Sequence, residues 1–134
     1  MTPARILCLV YAALLLGAAA TNYIPGLTDD QGLAFGIFAL DPFDDALHLV
    51  SALWALFAGL RSRRAAQTFL ILFGLAYLGD GMAGLLTGWG YLDFGLFTND
   101  SLGPDFGWFR IAANLPHIGL GAVALVSGLV SVRQ

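Results

Sequence analysis

Three ionisable side chains, His48, Asp80 and His117, lie within long apolar segments of the chain. A charged side chain at the centre of a bilayer costs at least ~2.5–3.5 kcal/mol, so such residues usually face the protein interior and find partners there. Two histidines and one carboxylate could bind a divalent metal. Two histidines on facing helices could hold a haem or a chlorophyll-type pigment, and a protonatable Asp beside a His could relay protons. The interpretation that we favour is a structural polar cluster, without a cofactor, that fixes the register of the helices.

The elements that position these side chains are four long apolar segments. The 134-residue chain is 58% hydrophobic and only 11% charged, whereas soluble domains carry about 25% charged residues. Each segment approaches the roughly 20 residues that cross the hydrocarbon core as a helix, and none shows the two-residue alternation of a barrel strand. The sequence therefore predicts an all-α fold, an integral membrane four-helix bundle that forms one domain over residues 1–134. The predicted helices cover residues 4–20, 43–60, 65–86 and 109–132, and the outer loops cover residues 21–42 and 87–108.

The first apolar segment has two interpretations. Arg5, the apolar core and the small residues from Gly17 to Ala20 are similar to a secretory signal with its cleavage site. We expect the segment instead to be the first membrane helix. Its Cys8, the one cysteine of the chain, is surrounded by Leu, Val and Ala, and we expect it to be an inert packing residue.

The arginines predict the orientation of the helices. Five of the six arginines lie before the first segment, between the second and third, or after the fourth, and the positive-inside rule places such residues in the cytoplasm. Eight of the nine aspartates lie at the two opposite connections. We therefore expect both termini in the cytoplasm, the acidic loops outside, and the chain in the cytoplasmic (inner) membrane of a bacterium. The cytoplasmic arginines are Arg5, Arg61, Arg63, Arg64 and Arg133, and the outer aspartates are Asp29, Asp30, Asp41, Asp44, Asp45, Asp93, Asp100 and Asp105.

This orientation places the three ionisable side chains at one depth. Counted along helices that rise 1.5 Å per residue, they each lie roughly 9–12 Å below the outer boundary. Asp80 should therefore find a donor on a neighbouring helix, and Arg110 and the amide of Asn114 are candidates beside the two histidines. The predicted intramembrane polar cluster consists of His48, Asp80, Asn114 and His117, and the candidate metal site of His48, Asp80 and His117.

The outer loops are rich in aromatic residues. Aromatic rings at the ends of membrane helices form an interfacial belt, so one interpretation is that both loops lie on the outer membrane surface. The other interpretation is a docking surface for a second membrane protein, because a large exposed apolar area often marks an interface. The second loop carries Trp89, Tyr91, Phe94, Phe97, Phe106 and Trp108.

The two halves of the chain resemble each other when His48 is aligned with His117. Two helix pairs that enter the membrane from the same side predict a parallel repeat. Small residues four apart also predict close helix contacts, since they let backbones approach each other in lipid. The aligned small residues are Ala55 with Ala124 and Gly59 with Gly128, and the small pairs are Ala13/Gly17, Ala55/Gly59 and Ala124/Gly128.

Several short motifs carry a family resemblance. They are Tyr23-Ile24-Pro25-Gly26-Leu27-Thr28, Phe35-Gly36-Ile37-Phe38-Ala39-Leu40-Asp41-Pro42, Asp45-Ala46-Leu47-His48 and Asn114-Leu115-Pro116-His117. With them the chain resembles, over nearly its whole length, the small bacterial four-helix membrane proteins of domain-of-unknown-function family 4383 (DUF4383), which have an Ile-Pro-Gly turn and two Asn-x-x-His motifs. Asp45 departs from the family's usual Asn. Asp is an equally good helix N-cap, but it would add a charge to a ligand site. The resemblance implies the topology and leaves the activity open.

The sequence carries no motif that predicts catalysis. It has no CxxC, HExxH, glycine-rich phosphate loop or Ser/His/Asp signature, so we do not expect an enzyme. A net charge of −3 with few basic residues argues against a nucleic-acid surface. We expect an accessory or scaffold subunit that packs in the lipid bilayer against other membrane proteins, such as a respiratory or photosynthetic complex, or against itself. The alternatives are a protein that binds a cofactor or handles protons with His48, His117 and Asp80, and a small transporter.

Overall fold

The computed structural model describes residues 1–133, and this part of the chain is helical without a β-strand. The four helices predicted from the apolar segments are present, and each is long and apolar enough to cross a membrane. A 3₁₀ turn and one short helix, α4, lie in the connections. The helices are α1 (Pro3–Ala20), α2 (Pro42–Arg61), α3 (Arg63–Thr87), α4 (Gly95–Thr98) and α5 (Trp108–Val132), and the 3₁₀ turn is Thr21–Tyr23.

The chain divides into two compact units, residues 1–69 and the residues from Leu70 onward. In the first unit α1 and α2 pack antiparallel. A Cβ on Gly59 would lie only 2.9 Å from Leu9 Cδ2 and 3.1 Å from the carbonyl oxygen of Arg5, so glycine at this position is what allows the two helices to come so close.

Aromatic rings fill the core of the first unit. Tyr11 and Phe69 are buried and meet edge to face at 6.4 Å, and Trp54 meets the other side of Phe69 at 4.9 Å. Cys8 is fully buried beside them, and its thiol lies 3.6 Å from the carbonyl oxygen of Ala66. It is thus placed as the packing residue that its apolar neighbours predict.

Both ends of α2 are closed by side chains. At the start, Asp41 accepts a hydrogen bond from the backbone N–H of Asp44 (2.9 Å), and Asp44 accepts one from the N–H of Asp41 (3.2 Å). This capping box satisfies donors that have no partner within the helix. At the other end, the Arg5 guanidinium donates to the carbonyl oxygens of Gly59 (2.7 Å) and Leu60 (2.8 Å).

Loop residues 24–41 form a compact network of turns. Gly26 has a φ of +87°, within the Ile-Pro-Gly turn that the sequence predicts. Asp29 Oδ1 then accepts hydrogen bonds from the backbone N–H groups of Gln31 (2.9 Å) and Leu33 (2.8 Å). These local bonds give the loop its shape without a regular element.

In the second unit α3 and α5 are in contact through glycines. A Cβ on Gly74 would lie 2.5 Å from the backbone nitrogen of Leu125, and one on Gly121 would lie directly against the backbone of Leu78. A Cβ on Gly128 would lie 2.7 Å from Ile71 Cγ1. The predicted role of Gly59 and Gly128 is therefore seen within each unit. Gly17 makes no such contact: it is exposed and has no neighbouring heavy atom within 4 Å of the position that a Cβ would take.

Candidate functional site

The facing helices of the second unit bring Asp80 and His117 together. Asp80 lies on α3 and His117 on α5, and Asp80 Oδ2 lies 2.6 Å from His117 Nδ1. The Asp80 side chain is only 6% exposed and that of His117 is 22% exposed. An ionised carboxylate can only accept hydrogen bonds. When Asp80 is ionised, His117 Nδ1 therefore carries a proton and donates a hydrogen bond to the carboxylate. Two of the ionisable residues singled out from the sequence therefore form one pair, in which Asp80 is buried and His117 is partly exposed.

The second oxygen of Asp80 holds the outer loop. Asp80 Oδ1 accepts hydrogen bonds from the backbone N–H groups of Tyr91 and Leu92, each 2.8 Å long. Gly90 makes this approach possible, because a Cβ there would lie 2.6 Å from Oδ1. The sequence does not reveal these donors, since backbone N–H groups have no residue signature. The one available signal was the pair of glycines, Gly88 and Gly90, directly before them.

Tyr91 anchors the loop a second time. Its hydroxyl donates a 2.6 Å hydrogen bond to the carbonyl oxygen of Ala76, one turn before Asp80 on α3, and it lies directly against Gly79. Burial, and then the nearby charge of Asp80, raise the pKa of Tyr91 above its ordinary value. The phenol therefore stays protonated and keeps its role as a donor. Tyr91 was predicted as an interfacial aromatic, and the structure shows that it also ties the loop to the helix.

An aromatic stack supports the imidazole. The His117 ring meets the Tyr77 ring at 5.0 Å with an interplanar angle of 62°. Tyr77 in turn stacks on Phe73 at 3.9 Å. Phe73 and Tyr77 are buried on α3, so this helix supplies both the carboxylate and the apolar surface that orients the ring.

Arg110 and Asn114, the other two candidate donors to Asp80 on α5, bond elsewhere. The Asn114 amide donates to the carbonyl oxygen of Arg110 (2.9 Å), and its side chain lies directly against Gly84 of α3. The Arg110 guanidinium pairs with Asp105 at 3.3 Å and lies 5.4 Å from the centre of the Trp89 ring. Asn114 thus sits one turn from His117 at the contact between α3 and α5, without bonding to the carboxylate.

Further bonds tie the end of the loop to α3. The backbone N–H of Gly103 donates to the carbonyl oxygen of Thr87, and that of Asp105 donates to the carbonyl oxygen of Leu85, both at 2.9 Å. The N–H of Gly107 donates to Asp105 Oδ1 (3.0 Å). This bond first, and then Arg110, lower the pKa of the Asp105 carboxyl. Both ends of the loop are therefore fixed to the last turns of α3.

The six aromatic residues predicted on the second loop divide into two groups. Trp89 and Tyr91 are half-buried and make the contacts described above. The other four are each more than half exposed, and we call them the outer aromatic surface. They are Phe94 (52%), Phe97 (73%), Phe106 (61%) and Trp108 (73%).

The short helix α4 presents part of this outer aromatic surface. Phe94 adopts a left-handed conformation with a φ of +63° directly before α4, which is uncommon for a bulky residue. Asp93 Oδ1 accepts a 3.0 Å hydrogen bond from the N–H of Gly95, and the Asn99 amide donates to the carbonyl oxygen of Gly95 (2.8 Å). The strained backbone at Phe94 is thus held by polar contacts on both sides.

His48 lies in the first unit, where it is buried on α2. Asp45, three residues earlier on the same helix, is also buried, and Asp45 Oδ2 lies 3.4 Å from the Asn22 amide nitrogen. Within residues 1–133, no group of three or more His, Cys, Asp or Glu side chains is placed so that it could hold a metal ion. His48 belongs to the first unit, whereas Asp80 and His117 belong to the second, so the metal site predicted from these three residues stays a prediction.

Comparison with known proteins does not assign the chain to a family: no family model matches it, and no curated protein or solved structure matches it. The site must therefore be interpreted from its own chemistry. A carboxylate bonded to Nδ1 fixes the tautomer and the orientation of an imidazole, and the other nitrogen, Nε2, is then the one that can bind a ligand or exchange a proton.

Proposed function

We propose that the protein is a non-enzymatic integral membrane protein that acts as an accessory or scaffold subunit, and that its outer aromatic surface docks against another membrane protein. The observation that carries this proposal is the construction of the second loop. Four aromatic side chains are exposed on a segment whose backbone is held by Asp80, Tyr91 and Asp105. A surface that is ordered before it binds loses less conformational entropy on association.

The composition of the loop supports a protein partner. Aromatic residues are enriched at the centres of protein interfaces, and large exposed apolar areas mark interaction sites. Asp93 and Asp100 lie beside the rings in the sequence and would form a polar rim. The buried Asp80–His117 pair has a structural role in this proposal, because it fixes the loop that carries the surface.

Co-purification tests the proposal. The tagged full-length chain is extracted from its native membrane in mild detergent after chemical cross-linking, and partners are identified by mass spectrometry. We expect one stoichiometric membrane partner that is lost from a Phe97→Ala/Phe106→Ala variant. The matched control is Leu72→Ala/Val126→Ala, which removes exposed apolar side chains from the helices and should keep the partner. Equal recovery from both variants would show that the loop is not the docking surface.

We also propose the topology in which this subunit works: a four-helix bundle in the cytoplasmic membrane of a bacterium, with both termini in the cytoplasm. The pattern of arginines and aspartates supports this orientation. In the first unit, Arg5 reaches the end of α2, whose last residue is Arg61, so these two arginines lie at the same end of the helix pair, and the positive-inside rule favours the cytoplasm for that end. Cysteine labelling tests it: a cysteine at position 100 should react with an impermeant reagent in intact cells, and one at position 64 should not.

A further part of the proposal is that the two helix pairs are repeats of one another and that the chain belongs with family 4383. The burial of equivalent positions supports the repeat. Ala55 and Ala124 are both fully buried, and Gly59 and Gly128 each lie close to the preceding long helix of their own unit. Expression of residues 62–134 alone, which keeps the whole of α3, tests whether the second helix pair is independent, since a repeat unit should insert and fold without the first.

The Asp80–His117 pair favours a second candidate function, which is cofactor binding or proton handling. The specific observation is the 2.6 Å bond between Asp80 Oδ2 and His117 Nδ1, which fixes the tautomer and the orientation of the imidazole, as carboxylates do for histidines that bind a metal or exchange a proton. An ultraviolet–visible spectrum and proton uptake by proteoliposomes test this function on the same preparation. A tetrapyrrole band or a proton flux that disappears in His117→Ala would favour it over the accessory role.

A further inference from the structure

Basic side chains gather where α2 joins α3. The connection between these helices is the single residue Ser62, so α2 ends and α3 begins within one turn of chain. The Arg5 guanidinium reaches the same place, because it bonds to the carbonyl oxygens of Gly59 and Leu60. We call this group the basic corner; it consists of Arg5, Arg61, Arg63 and Arg64.

No acidic residue of the first unit lies near the basic corner. Its five aspartates are in the loop before α2 or in the first turn of α2, and α2 is 20 residues long. At 1.5 Å per residue, the length of the helix separates the two groups by roughly 25–30 Å. At physiological ionic strength this is several times the screening length of about 8 Å. The aspartates of this unit are therefore too far from Arg61 and Arg64 to neutralise their charge.

Two arginines of the basic corner are available to a ligand. The Arg5 guanidinium already donates hydrogen bonds to the last turn of α2, whereas Arg61 and Arg64 are exposed. Exposed apolar side chains lie near these arginines in the sequence: Phe57 and Leu60 precede Arg61 within about one turn of α2, Ile6 follows Arg5 on α1, and each of the three is at least half exposed. Exposed arginines and exposed apolar side chains thus occur together at one end of candidate membrane spans.

We propose that the basic corner binds the headgroup of an anionic phospholipid in the leaflet that contains it. A guanidinium can hold two phosphate oxygens with two parallel hydrogen bonds. Arg61 and Arg64 supply the phosphate contacts, and the apolar side chains beside them lie along the acyl chains. The exposed apolar side chains favour a lipid over a free phosphate ion, because a phosphate ion would gain nothing from them.

Lipid binding to the delipidated full-length protein tests this proposal. Binding of phosphatidylglycerol and of phosphatidylcholine is titrated in detergent by native mass spectrometry, with inorganic phosphate as competitor. We expect phosphatidylglycerol to bind more tightly, and Arg61→Gln/Arg64→Gln to weaken it roughly thirtyfold, because each arginine near an anionic surface contributes roughly fivefold. Arg133→Gln, the matched control with the same type of substitution at another exposed arginine, should leave the affinity within about twofold.

Several outcomes would overturn the proposal. They are equal binding of the two lipids, an unchanged affinity in the double glutamine variant, and displacement of the lipid by millimolar inorganic phosphate, which would point to a free-anion site. If the glutamine variant does not fold, Arg61→Lys/Arg64→Lys replaces it. That variant keeps the charge but removes the paired hydrogen bonds, so an intermediate loss of affinity supports the proposal, and no loss contradicts it.

Discussion

Asp80 of α3 and His117 of α5 share a 2.6 Å hydrogen bond within the apolar part of the second unit. The same carboxylate also accepts the backbone N–H groups of Tyr91 and Leu92. One side chain thereby joins two long helices and the loop between them. Its removal would leave three partly buried donors without their acceptor, and an unsatisfied donor that is shielded from water costs stability.

Asp80→Ala should destabilise the protein by about 3–5 kcal/mol, which is the usual effect of removing one partner of a buried polar pair. Asp80→Asn is the matched control, since its carbonyl oxygen can still accept the two loop N–H groups, and it should lose clearly less. The measurement is thermal unfolding in detergent, combined with limited proteolysis of residues 93–101. Equal loss in the two variants would show that the loop does not depend on this acceptor.

Tyr91→Phe should remove the hydrogen bond to the carbonyl oxygen of Ala76 at a cost of about 1 kcal/mol. It should also change the response to alkali. The pKa of Tyr91 is raised above 10.0 by folding, so its contribution to stability is fully present below about pH 10 and is lost as the pH rises through the higher folded value. Unfolding followed from about pH 8 to about pH 11.5 should show a steeper loss in the parent protein than in Tyr91→Phe. Parallel curves would contradict this role.

The contribution of Asp105 to stability should be lost in acid, whereas that of Tyr91 is lost in alkali. Its pKa is lowered below 3.8 by the N–H of Gly107 and then by Arg110, so its contribution is present at neutral pH and disappears as the pH falls through the folded value. Acid should therefore release Arg110 from its position near the Trp89 ring. We expect Trp89 fluorescence to change below about pH 4 in a variant that keeps only this tryptophan, and Asp105→Asn to show the acid signal already at neutral pH. A signal unchanged by the substitution would place its origin elsewhere.

The four long helices could be predicted from the sequence because a hydrophobic run of sufficient length has few alternative structures in a chain this poor in charge. Counting residues also predicts that Asp80 and His117 lie at a similar level along their helices, which their hydrogen bond requires. Their contact did not follow, because counting leaves the rotation of each helix undetermined. Gly17 shows the same difficulty: composition places it in a small-residue pair, whereas the structure exposes it.

The hydrogen bonds between Asp80 and the loop could not be predicted from the sequence for a different reason. The donors of Tyr91 and Leu92 are backbone groups, which every residue except proline possesses. Arg110 was a reasonable donor to Asp80 by charge alone. In the structure it pairs instead with Asp105, five residues earlier and beside the start of its own helix, where both side chains remain accessible to water.

The glycines between α3 and α5 give the sharpest test of the second unit. Gly121→Ala would place a methyl group against the backbone of Leu78, and backbone cannot move aside as a flexible side chain can, so we expect a loss of about 1–3 kcal/mol. Gly119→Ala is the matched control, two residues earlier on the same helix, because a Cβ there meets no atom within 4 Å. That change should be neutral or stabilising by up to about 1 kcal/mol, since alanine favours a helix. Thermal unfolding of both variants in the same detergent checks the prediction, and equal effects would mean that α3 and α5 are farther apart than the structure places them.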